Sequence, residues 1–472
     1  MKTKLLIAAV LIFVISVAGL GAYKLLHAKP SDSPQYRLKW LRKNTIDAYR
    51  RIGHHNLAWD RPAERALELS ALSRATNAPF AGPIDQLVAD SCAEALRAGC
   101  DDPLILYFAA RCPAVARTVW ERAEDYAKAA DALTASEYPP FRKFYARLRA
   151  SAQFAFASNH KVSNDPKYDQ YLDYSLYLGG VLADPGIPPC EVYWAASEAL
   201  EPYKWQSADY ENIYLNVEKY LASHPNNYES LLIVGDVCTA RAWHARGTGR
   251  INTVSEEAHE KFQKLLAQAT AAYERSWQSN SGEQLKETIA VNALNAELGQ
   301  NLGREHYEIW FQRAMKVNPA CYQACSSKLY YLEPKWYGSA DEMLAFGREC
   351  LRNPNWKGNV PLIILDAHES LSRQLGTEEK TAYWHSRPVW EDVEAAFEAF
   401  FKVNPTWTGY RHNQAKYAYQ CGRWEVFLGL VPELDVNGSG INYEYFGGEE
   451  AFKQMVATAK SHAKSKSAEL LH

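Results

Sequence analysis

The chain has 472 residues, 47% hydrophobic and 23% charged, which excludes a disordered polymer and leaves room for roughly two to four domains or one long repeat array. Its formal net charge is −3, and setting aside Lys2 and Lys4 leaves 50 basic residues against 55 acidic, so the clustered basic excess that DNA or RNA requires is missing. A chain of this length buries a substantial core without disulfides or metals.

Leu5 to Tyr23 is an uncharged run of nineteen residues behind a basic start at Lys2 and Lys4. As a helix it spans about 28 Å, close to the hydrocarbon thickness of a bilayer. Two membrane readings fit: a cleaved signal peptide with Ser16, Val17 and Ala18 as the small-residue site, or an uncleaved signal anchor. Because the apolar run continues through Leu20, Ala22 and Tyr23, past that site, the anchor is the expectation. Orientation pulls both ways. The first lysines and the terminal amine favour an exported body, whereas Lys24, Lys29, Arg37, Lys39, Arg42 and Lys43 favour a cytoplasmic one. The basic-apolar start is similar to bacterial export signals. The expectation is therefore a single-pass inner-membrane protein with a periplasmic body, the cytoplasmic placement remaining open.

From the proline-bearing tether at 28–35 onward the pattern is helical. Alternating strand runs bounded by Asn-Gly or Asp-Gly turns are absent from the sequence. Apolar residues recur at i, i+3, i+4 and i+7, as in the stripe Trp120, Ala123, Tyr126, Ala127 and Ala130. Phe262, Leu265, Leu266, Ala269, Ala272 and Tyr273 make another. Thr253 to Glu256 reads as a capping box opening that second helix. Asn318-Pro319 and Asn404-Pro405 each read as an N-cap before a proline at the first helical position. Pro62, Pro83, Pro103, Pro139, Pro189, Pro225, Pro354 and Pro361 mark further helix starts.

An internal repeat is visible. Phe311 to Pro319 matches Phe397 to Pro405 at five of nine positions, at a constant offset of 86. Tyr331 and Tyr417 keep the offset, Trp336 and Trp424 nearly do, and Tyr220 to Tyr228 is a fainter third copy. An offset of 86 is too long for one helical hairpin and fits two or more units of roughly 34 to 45 residues. Each hairpin is amphipathic, so neighbours stack to bury their apolar faces.

With a helix ending in Lys-Val-Asn-Pro, a second beginning at a Tyr or Trp, and the turn at Tyr417 to Trp424, residues 205–430 resemble the tetratricopeptide-like superfamily. Ala240 to Gly249 and Leu332 to Ser339 look like hallmark segments of a bacterial helical-repeat family to which no activity is assigned. The resemblance implies a fold and leaves function open. The expected architecture is all-α, a transmembrane helix followed by an α-solenoid of degenerate helical-hairpin repeats. Its parts are an anchor at 1–27, a tether at 28–35, a helical region at 36–200, the repeats at 201–432, and a C-terminal loop and helix at 433–472.

Two places qualify as binding candidates. Trp243, His244, Arg246, Gly247, Thr248, Gly249 and Arg250 combine a glycine turn with arginines, able to hold an anion through backbone N–H groups and guanidinium forks. The plainer alternative is a helix end at Gly247, with the arginines solvated or paired to Glu256 and Glu257. Lys335, Trp336 and Tyr337, followed by Gly338 and Ser339, offer an aromatic pair beside a cation that suits a peptide or a sugar ring. Its alternative is a packing wedge, with Gly338 shaping the turn and Ser339 capping the next helix.

Other patterns fail on spacing. His259-Glu260 and His368-Glu369 do not extend to His-Glu-x-x-His, and Cys321 and Cys325 have no second pair at metal spacing. The nine cysteines read as small core residues, with disulfides inside the groups 92/100/112 and 321/325/350 as the other possibility. No nucleophile elbow or phosphate-binding loop is present, and no metal or other cofactor is indicated. The expected role is that of a membrane-tethered binding or scaffolding protein for a protein or peptide partner, attached through residues 5–23. A cell-envelope hydrolase with a site near His244 to Arg250 is the alternative.

Overall fold

A computed structural model describes residues 31–76, 83–111, 118–158, 172–200, 210–247, 249, 253–279, 283–435 and 441–469. Helix accounts for 79% of them and no strand occurs among them. The all-α expectation holds. No helix among the described residues is long and apolar enough to cross a membrane, and Leu5 to Tyr23 lies outside them.

The chain divides into two compact units. The first comprises Met1–His244 with Ala271–Leu285, the second Ala245–Thr270 with Lys286–His472.

In the first unit local chemistry sets the helix starts. Ser33 accepts from the Tyr36 amide at 3.3 Å and opens Pro34–Lys43. Asp102 accepts from the Leu104 amide at 2.9 Å and opens Pro103–Arg111. Thr118 and Glu121 form a reciprocal capping box on Val119–Ala135. Pro189 stands at the first position of Pro189–Ala199, where its missing N–H leaves no bond unmade. Successive helices pack on one another: Asp60–Ala75 on Pro83–Arg97, Val119–Ala135 on Pro140–Ala157, and Pro140–Ala157 on Ser175–Leu182. The stripe predicted on Val119–Ala135 is buried at Ala123, Tyr126, Ala127 and Ala130. Trp120 departs from it. It is exposed in the first helical turn, with its ring 6.3 Å from Phe154.

The second unit shows what the repeat is made of, and it corrects the reading of the Asn-Pro pairs. Asn318 closes Arg304–Val317 and Asn404 closes Arg387–Val403, so both pairs end a helix instead of beginning one. Proline disfavours helical geometry in the residue before it, and the two asparagines leave the helix at ψ 99° and 61°. The amides of Cys321 and Trp407 then turn back onto the Asn318 and Asn404 carbonyls at 3.0 and 3.1 Å. The same turn recurs at Asn353-Pro354, where the Trp356 amide reaches the Asn353 carbonyl at 3.2 Å. In the first unit it recurs at His224-Pro225, where the Asn227 amide reaches His224 at 3.2 Å. Pro225 and Pro354 therefore also follow helix ends.

The offset of 86 thus divides into steps of 35 and 51 residues, Asn318 to Asn353 to Asn404, with the extra helix Thr377–His385 in the longer step. Here each helix touches the next and the one after. Tyr322–Tyr331 packs on Ala340–Arg352 and on Ile363–Ser372, which packs on Arg387–Val403. That is the neighbour-only order of stacked helical pairs.

The capping box expected at Thr253 is also corrected. Ser255 caps Glu256–Gln278, accepting from the Ala258 amide at 3.2 Å. On that helix Phe262, Leu266, Ala269, Ala272 and Tyr273 are buried as predicted. Eight cysteines are described and all are free thiols, seven of them buried. Cys325 donates to the Met315 sulfur at 3.6 Å instead of joining Cys321 or Cys350.

Candidate functional site

Trp243, His244 and Arg246 lie on the last turn of Tyr228–Arg246, while Thr248 and Arg250 fall outside the described residues. Gly247 has φ +70°, the left-handed conformation that ends helices and favours glycine. An Arg246 Nη1 donates to the carbonyls of Gly247 and Gly249 at 3.2 and 3.3 Å. The arginine thereby ties down the turn that follows its own helix.

Lys335 to Ser339 connects Tyr322–Tyr331 to Ala340–Arg352. Lys335 Nζ pairs with Glu333 at 2.7 Å and lies 4.3 Å from the centroid of the Tyr330 ring. Trp336 is half-buried between Tyr330 and Tyr337, 5.8 and 6.2 Å away ring to ring. The Tyr337 hydroxyl donates to the Leu298 carbonyl at 2.9 Å. A Cβ on Gly338 would fall 2.3 Å from the Leu332 carbonyl oxygen, so only glycine fits this turn. Ser339 accepts from the Glu342 amide at 3.3 Å. The segment is a packed corner, with Lys335 at its surface.

Two further constellations were not singled out from the sequence. The first is an open groove of about 780 Å³ in the first unit, formed where Tyr210–Ser223 turns through His224-Pro225 into Tyr228–Arg246. Glu229 is buried beneath it and accepts from the Tyr220 hydroxyl at 2.8 Å and from Asn227 Nδ2 at 2.9 Å. Burial pushes the Tyr220 hydroxyl up, and the Glu229 charge adds to the effect. Lys219, His224 and Asn226 stand exposed on its lining, with Asp184 and Asn216 half-buried there. The Tyr220 and His224 rings stack at 4.4 Å. Donors, acceptors and a flat aromatic face thus converge in one concavity, the mixture that orients a polar ligand.

The second is a buried relay in the second unit. His368 hydrogen-bonds the Tyr383 hydroxyl through Nδ1 at 2.7 Å and Asp392 through Nε2 at 3.1 Å. Arg348 donates to both Asp392 oxygens, at 2.8 to 3.1 Å. An ionised carboxylate only accepts, so Nε2 carries a proton, and in the neutral ring Nδ1 accepts from tyrosine. Burial works to raise the Asp392 carboxyl, but the bonds from His368 and Arg348 outweigh it and hold the group below its ordinary value. Burial and the Asp392 charge push the Tyr383 hydroxyl up to about 12, which keeps it a proton donor. Four helices meet in this chain of bonds, Ala340–Arg352, Ile363–Ser372, Thr377–His385 and Arg387–Val403.

Sequence reading dismissed His368 because it looked for a second histidine four residues on. The partner is Asp392, 24 positions away. The groove's signal was local: Pro225, Asn226, Asn227, Tyr228 and Glu229 follow the end of Tyr210–Ser223 within six positions.

Comparison with models of protein families finds no match to this chain, and comparison with curated proteins finds none either.

Proposed function

We propose that the protein is a helical-repeat binding protein, tetratricopeptide-like in its order of helices, which captures a protein or peptide partner and is held at a membrane by Leu5 to Tyr23. The observation that carries this reading is the groove at His224 to Glu229, an open concavity of about 780 Å³ with a buried acid beneath it and exposed polar side chains around it. Stacked helical pairs commonly present their binding surfaces as such concavities. Membrane attachment rests on the length and uniform apolarity of Leu5 to Tyr23, and the exported body on the basic residues before it.

Site-specific photocrosslinking in intact membranes tests the reading. Full-length protein carrying a photoreactive residue at Lys219 or His224 should give a discrete adduct with one partner. The same residue at exposed Lys128, on a different helix, should not. Equal adducts from all three positions, or none from the groove, would overturn the reading. Protease digestion of whole cells and of spheroplasts decides the side: a body cleaved only after the outer barrier is opened is periplasmic.

A further inference from the structure

Both acids on the lining of the groove, Glu229 and Asp184, are held by neutral donors alone. Glu229 is 1% exposed, and its bonds from the Tyr220 hydroxyl at 2.8 Å and Asn227 Nδ2 at 2.9 Å both end on Oε1. Its Oε2 accepts no hydrogen bond among the described residues, and no basic side chain among them pairs with it. Half-buried Asp184 takes the Trp40 ring N–H on one oxygen and the Gly186 amide on the other, each at 2.9 Å.

A second, independent atom of the lining is also unmet. Tyr228 is 4% exposed, and its enclosed hydroxyl has no hydrogen-bond partner among the described residues. The chain's own basic groups at the groove do not answer these acceptors. Lys219 stands exposed on the lining and pairs with neither acid. The His224 ring turns back onto its own helix end, with Nδ1 at 3.0 Å from the Ser223 hydroxyl and 3.2 Å from the Tyr220 carbonyl.

We propose that the groove receives an ammonium or guanidinium group, carried by a lysine or arginine side chain of the partner, on Glu229, with the Tyr228 hydroxyl as a further acceptor. A carboxylate taken out of water without a counter-charge is costly, and an entering cation removes that cost. A carboxylate oxygen can only accept and a phenol oxygen also accepts, so the group that satisfies both must donate. Two carboxylates against one exposed lysine select a positively charged donor over a neutral one. Bonds from a cation to a carboxylate are also about twice as strong as neutral ones. The inference rests on the reading of this groove as the partner's site and adds what the partner must bring to it.

Isothermal titration of the full chain in neutral detergent tests the proposal with three capped pentapeptides, Gly-Ser-X-Ser-Gly, in which X is lysine, arginine or uncharged norleucine. A charged peptide should fill one saturable site, and the norleucine peptide should bind about tenfold more weakly or worse, the worth of a charge-assisted bond. The tighter of the two charged peptides names the side chain. Glu229→Gln keeps the shape of the side chain and should weaken the charged peptide about tenfold while leaving the norleucine peptide unchanged. Should that variant fail to fold, the wild type carries the test, since the charged peptide should raise its melting temperature and the norleucine peptide should not. Equal binding of charged and norleucine peptides, no saturable binding of either charged peptide, or full affinity in folded Glu229→Gln would overturn the proposal. Photocrosslinking from His224 separates the two readings. An adduct that survives Glu229→Gln keeps the groove as the partner's site and overturns the cationic assignment. A charged peptide that binds through Glu229 where no adduct forms upholds the assignment and overturns the partner reading alone.

Discussion

Glu191 in the first unit and Glu297 in the second are both almost wholly enclosed, at 0% and 2% exposed, yet they stand in different company. Two arginines grip Glu191, Arg37 at 2.9 Å and Arg74 at 2.6 Å, while Arg37 also lies 4.3 Å from the Trp194 ring centroid. For Glu297 the nearest basic side chain is His306, 3.9 Å away and largely in solvent, and its Oε1 has no hydrogen-bond partner among the described residues. Burial works to raise Glu191, but the two arginines outweigh it and hold the carboxyl low. Burial raises Glu297 against weaker opposition from His306 and Trp310. The first unit is knit by buried ion pairs between distant helices. The second is built from a recurring turn and aromatic contacts such as Phe311 with Trp356 and Phe400 with Trp407.

Replacing the two glutamates tests that contrast most severely. Glu191→Gln leaves Arg37 and Arg74 enclosed without their counter-charge and should cost about 3 to 5 kcal/mol in urea unfolding. In the second unit the nearest equivalent is Asp392→Asn, which weakens the bonds from His368 and Arg348 and should cost about 2 to 3 kcal/mol. Gly338→Ala sets a methyl group against the Leu332 carbonyl and should cost about 1 to 3 kcal/mol, read from the same curves. A silent Gly338→Ala would mean that the repeat turn does little to specify the second unit.

Acid separates the glutamates by sign. Glu191 is held below its unfolded value of 4.5, so its contribution is complete above that pH and is lost as pH falls through the folded value. The folded value of Glu297 lies above 4.5, so its penalty is absent below 4.5 and grows as pH rises through the folded value. Glu297→Gln should accordingly be neutral or stabilising by about 1 kcal/mol at pH 7 and indistinguishable from wild type near pH 4, measured as urea midpoints across that range. The smallest effect belongs to Lys335→Ala. Its pair with Glu333 is solvated, and the change should stay within about 0.5 kcal/mol.

Elements whose cause is local were legible in the sequence. The glycine at Gly247, the Ser339 cap, the stripe from Phe262 to Tyr273 and the tight turn at Gly338 each depend on residues within a few positions. Asn318-Pro319 misled because the pair contains signals for both a start and a stop. The steric limit that proline places on the residue before it decided for the stop. The 35-residue step stayed hidden because Asn353-Pro354 keeps the turn but shares little of the helix before it. Arg37 and Glu191 stand 154 positions apart, and His368 and Asp392 lie on different helices, so no spacing rule reaches either pair. Arg142, Tyr145, Ala146 and Arg149 do follow the i, i+3, i+4, i+7 rule on one helix face.

Urea unfolding of Glu191→Gln and Glu297→Gln side by side at pH 7 tests the contrast between the two units most directly. The account predicts a loss of about 3 to 5 kcal/mol for Glu191→Gln and none for Glu297→Gln. Equal losses, or a larger loss for Glu297→Gln, would contradict it.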